Sequence, residues 1–345
     1  MATVMASRGL NYVLDGSGEL QASFRRDGYL ILKGAISSDL LDQIRWEIEE
    51  TFIAPPEDAR PEIPGVNVKT GRFQDAWRLC PSVVALAGEH GILQVLEDLY
   101  GRTPHPFQTL TFSIATQQKS HSDHIHFSSR PLGFMCGVWV ALQDVTEENG
   151  PLFYYPGSHN LPYQGYADLG IEVESPETEP IAYSEYEDRI DQFARNHGFR
   201  RQTFTASKGD VLIWAANLVH GGSAVTGNTD VRWSQVTHYY FDDCLHYTPR
   251  LSDEINGDFL IRRPVDIRTG LPIRSARNKE ADDVASVESV EQHGDQSVTQ
   301  TSTELAQLQQ EVDRLKREIV AIRNTKTFRY TKKLRRLYRR LRPTQ

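Results

Sequence analysis

The sequence predicts a mainly β domain of jelly-roll or barrel type with flanking helices, followed by a C-terminal coiled coil. Three observations carry this expectation. From about residue 107 to 247, short β-rich runs alternate with turn residues: LTFSI, MCGVWVAL, PLFYYPG, DVLIWAANL and VRWSQVTHYYF. Many short strands at such spacing suit a closed or two-sheet β architecture. Before them, FRRDGYLILKGAISSDLLDQIRWEIEETF reads as a strand and then an amphipathic helix. After them, Leu305, Leu308, Val312, Leu315, Ile319 and Ile322 recur at intervals of three and four, the a/d seam of a coiled coil.

The elements follow in order. Tyr29 to Leu32 is a short strand. Ser37 or Ser38 can cap the next helix, and Asp39 suits its positive end. Leu41, Ile44 and Ile48 give that helix one buried face. Within the β region, Asn149-Gly150 and Pro156-Gly157 mark turns. An acidic insertion, roughly residues 163–205, interrupts the strands, and its second half has helical character. An insertion of that length is either a lid or a surface decoration. The expected division is a catalytic domain over 1–272, a polar linker over 273–303, the coiled coil over 304–324 and a basic amphipathic tail over 325–345.

Composition narrows the class. Of 345 residues, 39% are hydrophobic and 24% charged, which suits a soluble chain with a sizeable core. No apolar run approaches the ~20 residues of a membrane-spanning helix, and the first residues lack the pattern of a secretory signal. Cys80, Cys136 and Cys244 form no close pair, so no disulfide framework is expected and a reducing cytoplasm is the expected location. From Arg323 onward there are ten Lys/Arg and no Asp/Glu; removing them from the net charge of -8 leaves -18 on residues 1–322. An acidic body and a basic tail expect different partners. Leu334, Leu337, Tyr338 and Leu341 give the tail one apolar stripe, which suits an anionic membrane surface at the inner face of a membrane. Nucleic acid is the competing partner, disfavoured because no feature resembles base recognition and the acidic body repels a polyanion, and an autoinhibitory contact of the tail with the acidic body is a third reading. The heptads predict a homo-oligomer.

The stretch HSDHIHF, residues 121–127, concentrates metal-ligand side chains. Read as a strand, it places His121, Asp123 and Ile125 on one face and Ser122, His124 and His126 on the other. A metal can then take His121 and Asp123 together, while His124 and His126 sit near it or face substrate. A third ligand must come from elsewhere, and His220 follows a strong strand. His159 reads as part of a turn, and His238 as a core histidine on the strand face of Arg232. Two imidazoles and one carboxylate on one side of an octahedral ion leave three open positions, the facial triad of non-haem Fe(II) oxygenases. Those positions suit the 2-oxo acid group of 2-oxoglutarate and O2. The far carboxylate of 2-oxoglutarate needs a cation, and Arg232, twelve residues after His220, offers a bidentate fork with the Ser234 hydroxyl on the same face.

The stretch from His121 to His159, with its His-x-Asp, Arg130-Pro131, WVAL at 139–142, NGPL at 149–152 and PGSH at 156–159, resembles the phytanoyl-CoA dioxygenase family of Fe(II)/2-oxoglutarate-dependent oxygenases. The likeness continues through His220 to the Arg-x-Ser at 232–234 and spans roughly residues 20–248. It implies a double-stranded β-helix, iron on His121, Asp123 and His220, 2-oxoglutarate on Arg232 with help from Ser234, and Trp139 lining the cosubstrate pocket. The expected activity is oxidation, by default hydroxylation, of a small-molecule, lipid or glycan substrate with release of succinate and CO2. The tail NTKTFRYTKKLRRLYRRLR resembles basic tails of bacterial glycosyltransferases of envelope glycans, a resemblance that implies a glycan or lipid-linked substrate. Two rivals are a metal-dependent cupin hydrolase or isomerase, which would not need Arg232 and Ser234, and a catalytically silent scaffold acting through the coiled coil and tail.

Overall fold

The computed structural model describes residues 3–5, 18–55, 64–173, 177–254, 257–273 and 275. The coiled coil, the tail and the linker beyond residue 275 lie outside the described residues. In chain order, the N-terminal part holds β1 (Thr3–Met5), α1 (Glu19–Asp27), β2 (Tyr29–Lys33), α2 (Ser38–Ile48), β3 (Val66–Asn67), β4 (Arg72–Gln74), α3 (Pro81–Ala87) and α4 (His90–Tyr100). The β region follows with β5 (Pro104–Ile114), β6 (Ser128–Arg130), β7 (Met135–Ala141) and β8 (Leu152–Tyr154). It closes with α5 (Glu179–Asn196), β9 (Gln202–Phe204), β10 (Val211–Ala215), β11 (His220–Gly222), β12 (Val231–Phe241) and β13 (Leu245–Tyr247).

The fold is mainly β and jelly-roll-like. An eight-stranded sheet runs β1-β2-β10-β7-β12-β5-β4-β3, and a three-stranded sheet runs β11-β8-β9. Strand alternation decides what each face of the large sheet buries. Leu30, Leu32, Val138, Val140, Val211, Ile213, Tyr239 and Phe241 face the helices, where Leu41, Ile44, Ile48, Leu86, Val95 and Leu96 meet them. Tyr29, Ile31, Trp139, Leu212, Trp214 and Val236 face the smaller sheet, against Leu152, Tyr154 and Phe204. The site described below lies between the two sheets. Helix α2 buries Leu41, Ile44 and Ile48 as expected, although Ser37, at its N-cap, makes no side-chain capping bond.

Two expectations need correction. Residues 121–127 are not a strand: His121 forms a single bridge to His220, and Asp123–Ile125 form a 3-10 turn. The turn seats Ile125 in the core at 0% exposure and His124 at 3%. The insertion is also more than a surface decoration. One face of α5, carrying Ala182, Tyr186, Ile190 and Ala194, is buried against Ile125, Phe153, Tyr155 and Val219, so the helix forms a wall behind the smaller sheet. The three cysteines are free and buried.

Candidate metal centre

The structure brings His121, Asp123 and His220 together. Their ligand atoms all lie within 4.8 Å of one another, and among the described residues they are the one such group. Backbone pairing sets this up. His121 and His220 are direct antiparallel partners, each N–H donating to the other's carbonyl at 2.9 Å. Ser122 is extended, and the turn that starts at Asp123 folds the carboxylate back toward the pair. Both Nε2 atoms lie 3.9 Å from Asp123 Oδ1.

The tautomers are fixed from behind. His121 Nδ1 lies 3.0 Å from the Lys119 carbonyl and His220 Nδ1 lies 2.9 Å from the Leu218 carbonyl. Each Nδ1 therefore carries the proton, and each Nε2 offers its lone pair to a metal. Burial lowers the His121 pKa to about 4, with the neighbouring His220 adding to the effect. Burial alone would raise the Asp123 carboxyl, but His238, His220 and His121 outweigh it and hold it well below its ordinary value. A neutral imidazole at His121 and a carboxylate at Asp123 are the forms that bind a divalent ion.

The second oxygen of Asp123 is held by groups the sequence reading did not assign. Trp214 Nε1 donates to Asp123 Oδ2 at 2.6 Å, and His238 Nε2 lies 3.4 Å from the same oxygen. Register explains the arrangement: Trp214 and His238 sit on the strands either side of β7, both opposite Gly137. A Cβ on Gly137 would lie 2.4 Å from the Trp214 ring. The missing side chain at Gly137 is what lets the indole lie flat enough to reach Asp123. The sequence placed His238 on the face of Arg232, and β12 does carry Arg232, Ser234, Val236 and His238 inward. Trp214 stood in the sequence only as part of the β-rich run DVLIWAANL.

The residues behind the metal segment face α5. Gln118 Nε2 donates to Tyr183 OH at 3.4 Å, Ser120 Oγ donates to Asp191 at 2.5 Å, and Ser122 Oγ lies 3.1 Å from Tyr186 OH. His126 Nε2 lies 3.0 Å from Tyr183 OH. The His124 ring lies tilted against Tyr163, with ring centroids 4.2 Å apart, and its Nδ1 has no hydrogen-bond partner. Burial lowers His124 to about 3; burial, then His121 and Arg250, does the same to His126. Neither belongs to the ligand group. His159 sits in a 3-10 turn and contacts the Arg25 carbonyl at 2.9 Å.

One pocket joins the triad to the other sequence-derived residues. Its lining includes His121, Asp123, His220, Trp139, Arg232 and His238, closed by Leu110, Phe112, Leu152 and Val236. Ser234, 0% exposed, lies on the same inward face of β12, opposite Ala141. Arg232 is 1% exposed. Its Nε and Nη1, the Ser234 Oγ and the Trp139 Nε1 have no hydrogen-bond partner. Burial lowers the Arg232 pKa to about 10, so it remains a cation at neutral pH. Buried polar groups are almost always paired, and a buried unpaired cation costs several kcal/mol. This set of orphaned donors fits an anion that carries oxygen acceptors, and the triad fits a divalent metal with open positions.

Comparison with known proteins agrees with this site. Residues 24–232 match the family described as Phytanoyl-CoA dioxygenase (PhyH). A probable phytanoyl-CoA dioxygenase of Caenorhabditis elegans is 22% identical over 270 residues, covering 69% of this chain and 80% of that protein. A phytanoyl-CoA dioxygenase domain-containing protein 1 of Danio rerio is 26% identical over 184 residues, covering 40% of this chain and 63% of that protein. Among solved structures, the non-heme alpha ketoglutarate dependent carbocyclase SnoK from nogalamycin biosynthesis shares the fold with a TM-score of 0.53 at 19% identity, covering 75% of this chain and 94% of its own. EctD from S. alaskensis, solved with 2-oxoglutarate and 5-hydroxyectoine, aligns with a TM-score of 0.51 at 22% identity, covering 73% and 86%. The family match spans more than half of the sequence, and the chain belongs to the phytanoyl-CoA dioxygenase family.

Proposed function

We propose that this protein is an Fe(II)- and 2-oxoglutarate-dependent dioxygenase that hydroxylates, or otherwise oxidises, a small-molecule, lipid or glycan substrate. The observation that carries the proposal is one pocket holding a buried His-Asp-His triad and a buried, unpartnered arginine. Iron would be held by His121 Nε2, Asp123 Oδ1 and His220 Nε2. When bound, iron and 2-oxoglutarate supply oxidation of a substrate C–H bond by O2, with release of succinate and CO2.

The chain's own groups have separable tasks. The Arg232 guanidinium pairs with the far carboxylate of 2-oxoglutarate, and the Ser234 hydroxyl donates to it. The Trp139 indole N–H donates into the same pocket. Trp214 and His238 hold Asp123 Oδ2, so that Oδ1 faces the metal. Leu110, Phe112, Leu152 and Val236 keep water from the reacting centre. A cupin hydrolase has no use for a buried cation placed away from the triad, and a silent scaffold has no use for either feature.

A second outcome shares the same machinery. The fold neighbours include a carbocyclase and the epimerase SnoN. Hydroxylation adds one oxygen to the product, epimerisation leaves the mass unchanged, and ring closure removes a pair of hydrogens. Product mass therefore separates them.

The basic tail with its apolar stripe supports a peripheral placement at an anionic membrane on the cytoplasmic side, with self-association through the heptads. Among the described residues no helix is long and apolar enough to cross a membrane. The test of the activity is succinate release from 2-oxoglutarate. It should require Fe(II) and fall to background in Asp123→Ala; release that ignores iron, or survives in Asp123→Ala, would refute the proposal.

A further inference from the structure

Three arginines among the described residues carry a buried guanidinium nitrogen without a hydrogen-bond partner: Arg232, Arg250 and Arg262. Arg232 belongs to the cosubstrate pocket. The other two lie on the His126–Phe127 side of the triad: Arg262 is over the Phe127 and Phe107 rings, and Arg250 is 5.9 Å from the Tyr183 ring that His126 contacts. There His238 lies 5.2 Å from the Phe127 ring, and the Arg262 guanidinium carbon lies 4.7 Å from the centre of that same ring. Phe107 meets Phe127 edge-on at 5.2 Å and stacks on Tyr240 at 4.0 Å. One aromatic ring thus separates Arg262 from a histidine in contact with Asp123.

Among the described residues, the ion pairs at this place set one carboxylate, that of Glu179, against the two guanidinium groups. Arg250 pairs with Glu179 at 2.5 Å, yet its Nε stays unpartnered. Arg262 has no carboxylate among the described residues; its Nη1 donates to Thr248 Oγ1 at 3.2 Å. Elsewhere this acidic domain supplies carboxylates freely, as in Arg268 with Asp266 and Arg130 with Glu254. Leaving a partly buried cation short of a counter-charge costs stability unless a ligand supplies it.

Resting on the oxygenase reading, we propose that Arg262, aided by Arg250, anchors an anionic oxyacid group of the substrate, a carboxylate or a phosphate, with Phe127 and Phe107 forming the apolar shelf for the part of the molecule that reaches the metal. The guanidinium fork matches either oxyacid in bidentate fashion, and the aromatic shelf excludes a fully polar ligand.

The test titrates benzoate, phenyl phosphate and benzyl alcohol, by calorimetry, into the full-length chain loaded with Mn(II) and 2-oxoglutarate under nitrogen. The two anions distinguish carboxylate from phosphate, and the alcohol is the neutral control. One anion should bind roughly tenfold or more tighter than the alcohol, and Arg262→Gln should remove roughly tenfold or more of that affinity while 2-oxoglutarate binds as before. Arg262→Lys, which keeps the charge, should retain part of it. If Arg262→Gln does not fold, Arg262→Lys and Arg250→Gln carry the comparison. Equal binding of anions and alcohol, no binding of either anion, or anion affinity indifferent to both arginines would overturn the inference. A wild-type chain that fails to bind 2-oxoglutarate would bring down the oxygenase reading and this inference together; one that binds it without preferring an anion brings down this inference alone.

Discussion

Arg232→Met separates cosubstrate binding from folding. The arginine is 1% exposed and has no partner for Nε or Nη1. Removing one member of a buried charge pair costs roughly 2–5 kcal/mol, so 2-oxoglutarate affinity should fall at least ~30-fold. The effect is readable as thermal stabilisation. At 2-oxoglutarate about 100 times the wild-type Kd, binding stabilises the native state by about 2.7 kcal/mol. For a domain of this size that raises Tm by roughly 5–10 °C. In Arg232→Met the same concentration should give under about 1 kcal/mol and a shift below roughly 3 °C. Without ligand the variant should melt no lower than wild type, because it no longer buries an unpaired cation. The assay is thermal unfolding with Mn(II) under nitrogen, with and without 2-oxoglutarate. A full ligand-induced shift in the variant would place the anchor elsewhere. A large loss of ligand-free Tm would make Arg232 a structural cation instead.

Other consequences follow from the same geometry. His121→Ala, Asp123→Ala and His220→Ala should each abolish stoichiometric metal binding by calorimetry, whereas His124→Ala and His126→Ala keep it; loss in His124→Ala equal to that in His121→Ala would overturn the ligand assignment. Gly137→Ala should push the Trp214 ring off Asp123 and cost about 1–3 kcal/mol of stability, with weakened metal affinity; unchanged metal affinity would remove Trp214 from the support of the site. His105 lies between Asp266 and Asp242, with ring nitrogens 2.8 and 2.6 Å from their carboxylates. Burial alone would lower its pKa, but these two hydrogen bonds raise it. A raised folded pKa gives stability that is fully present below about pH 6.5 and is lost as pH rises through the folded value, so His105→Gln should cost more at about pH 5.5 than at about pH 9; an equal cost at both would refute this. For the tail, the full-length chain should float with anionic liposomes in a salt-sensitive way and a chain ending at Pro272 should not; equal flotation would remove the membrane role.

The succession of short strands over residues 107–247 was legible in the sequence because β-rich runs and turn residues are local signals, whereas the order of strands in the sheets and the two faces of the core follow from pairing between distant segments. The triad was legible for two reasons. His121 and Asp123 are near neighbours, and His220 and Arg232 fall at spacings that resemble a known family. The strand reading of 121–127 named two of the three side chains that the structure gathers into one cluster, but through the wrong backbone. It is the 3-10 turn after Ser122, not a continued strand, that aims Asp123. The supports of Asp123 were not legible, because Trp214, Gly137 and His238 come together only through the registers of β10, β7 and β12. The same holds for α5, whose Tyr183, Tyr186 and Asp191 meet Gln118, Ser120 and Ser122 across the fold. Arg250 and Arg262 carried no local signal at all. Their meaning lies in what surrounds them.

The most direct measurement is anomalous diffraction at the iron edge from anaerobic crystals grown with Fe(II) and 2-oxoglutarate. One iron should sit on His121 Nε2, Asp123 Oδ1 and His220 Nε2, with the far carboxylate of 2-oxoglutarate on Arg232 and Ser234. Iron bound through His126 or His238, or 2-oxoglutarate seated away from Arg232, would contradict the account.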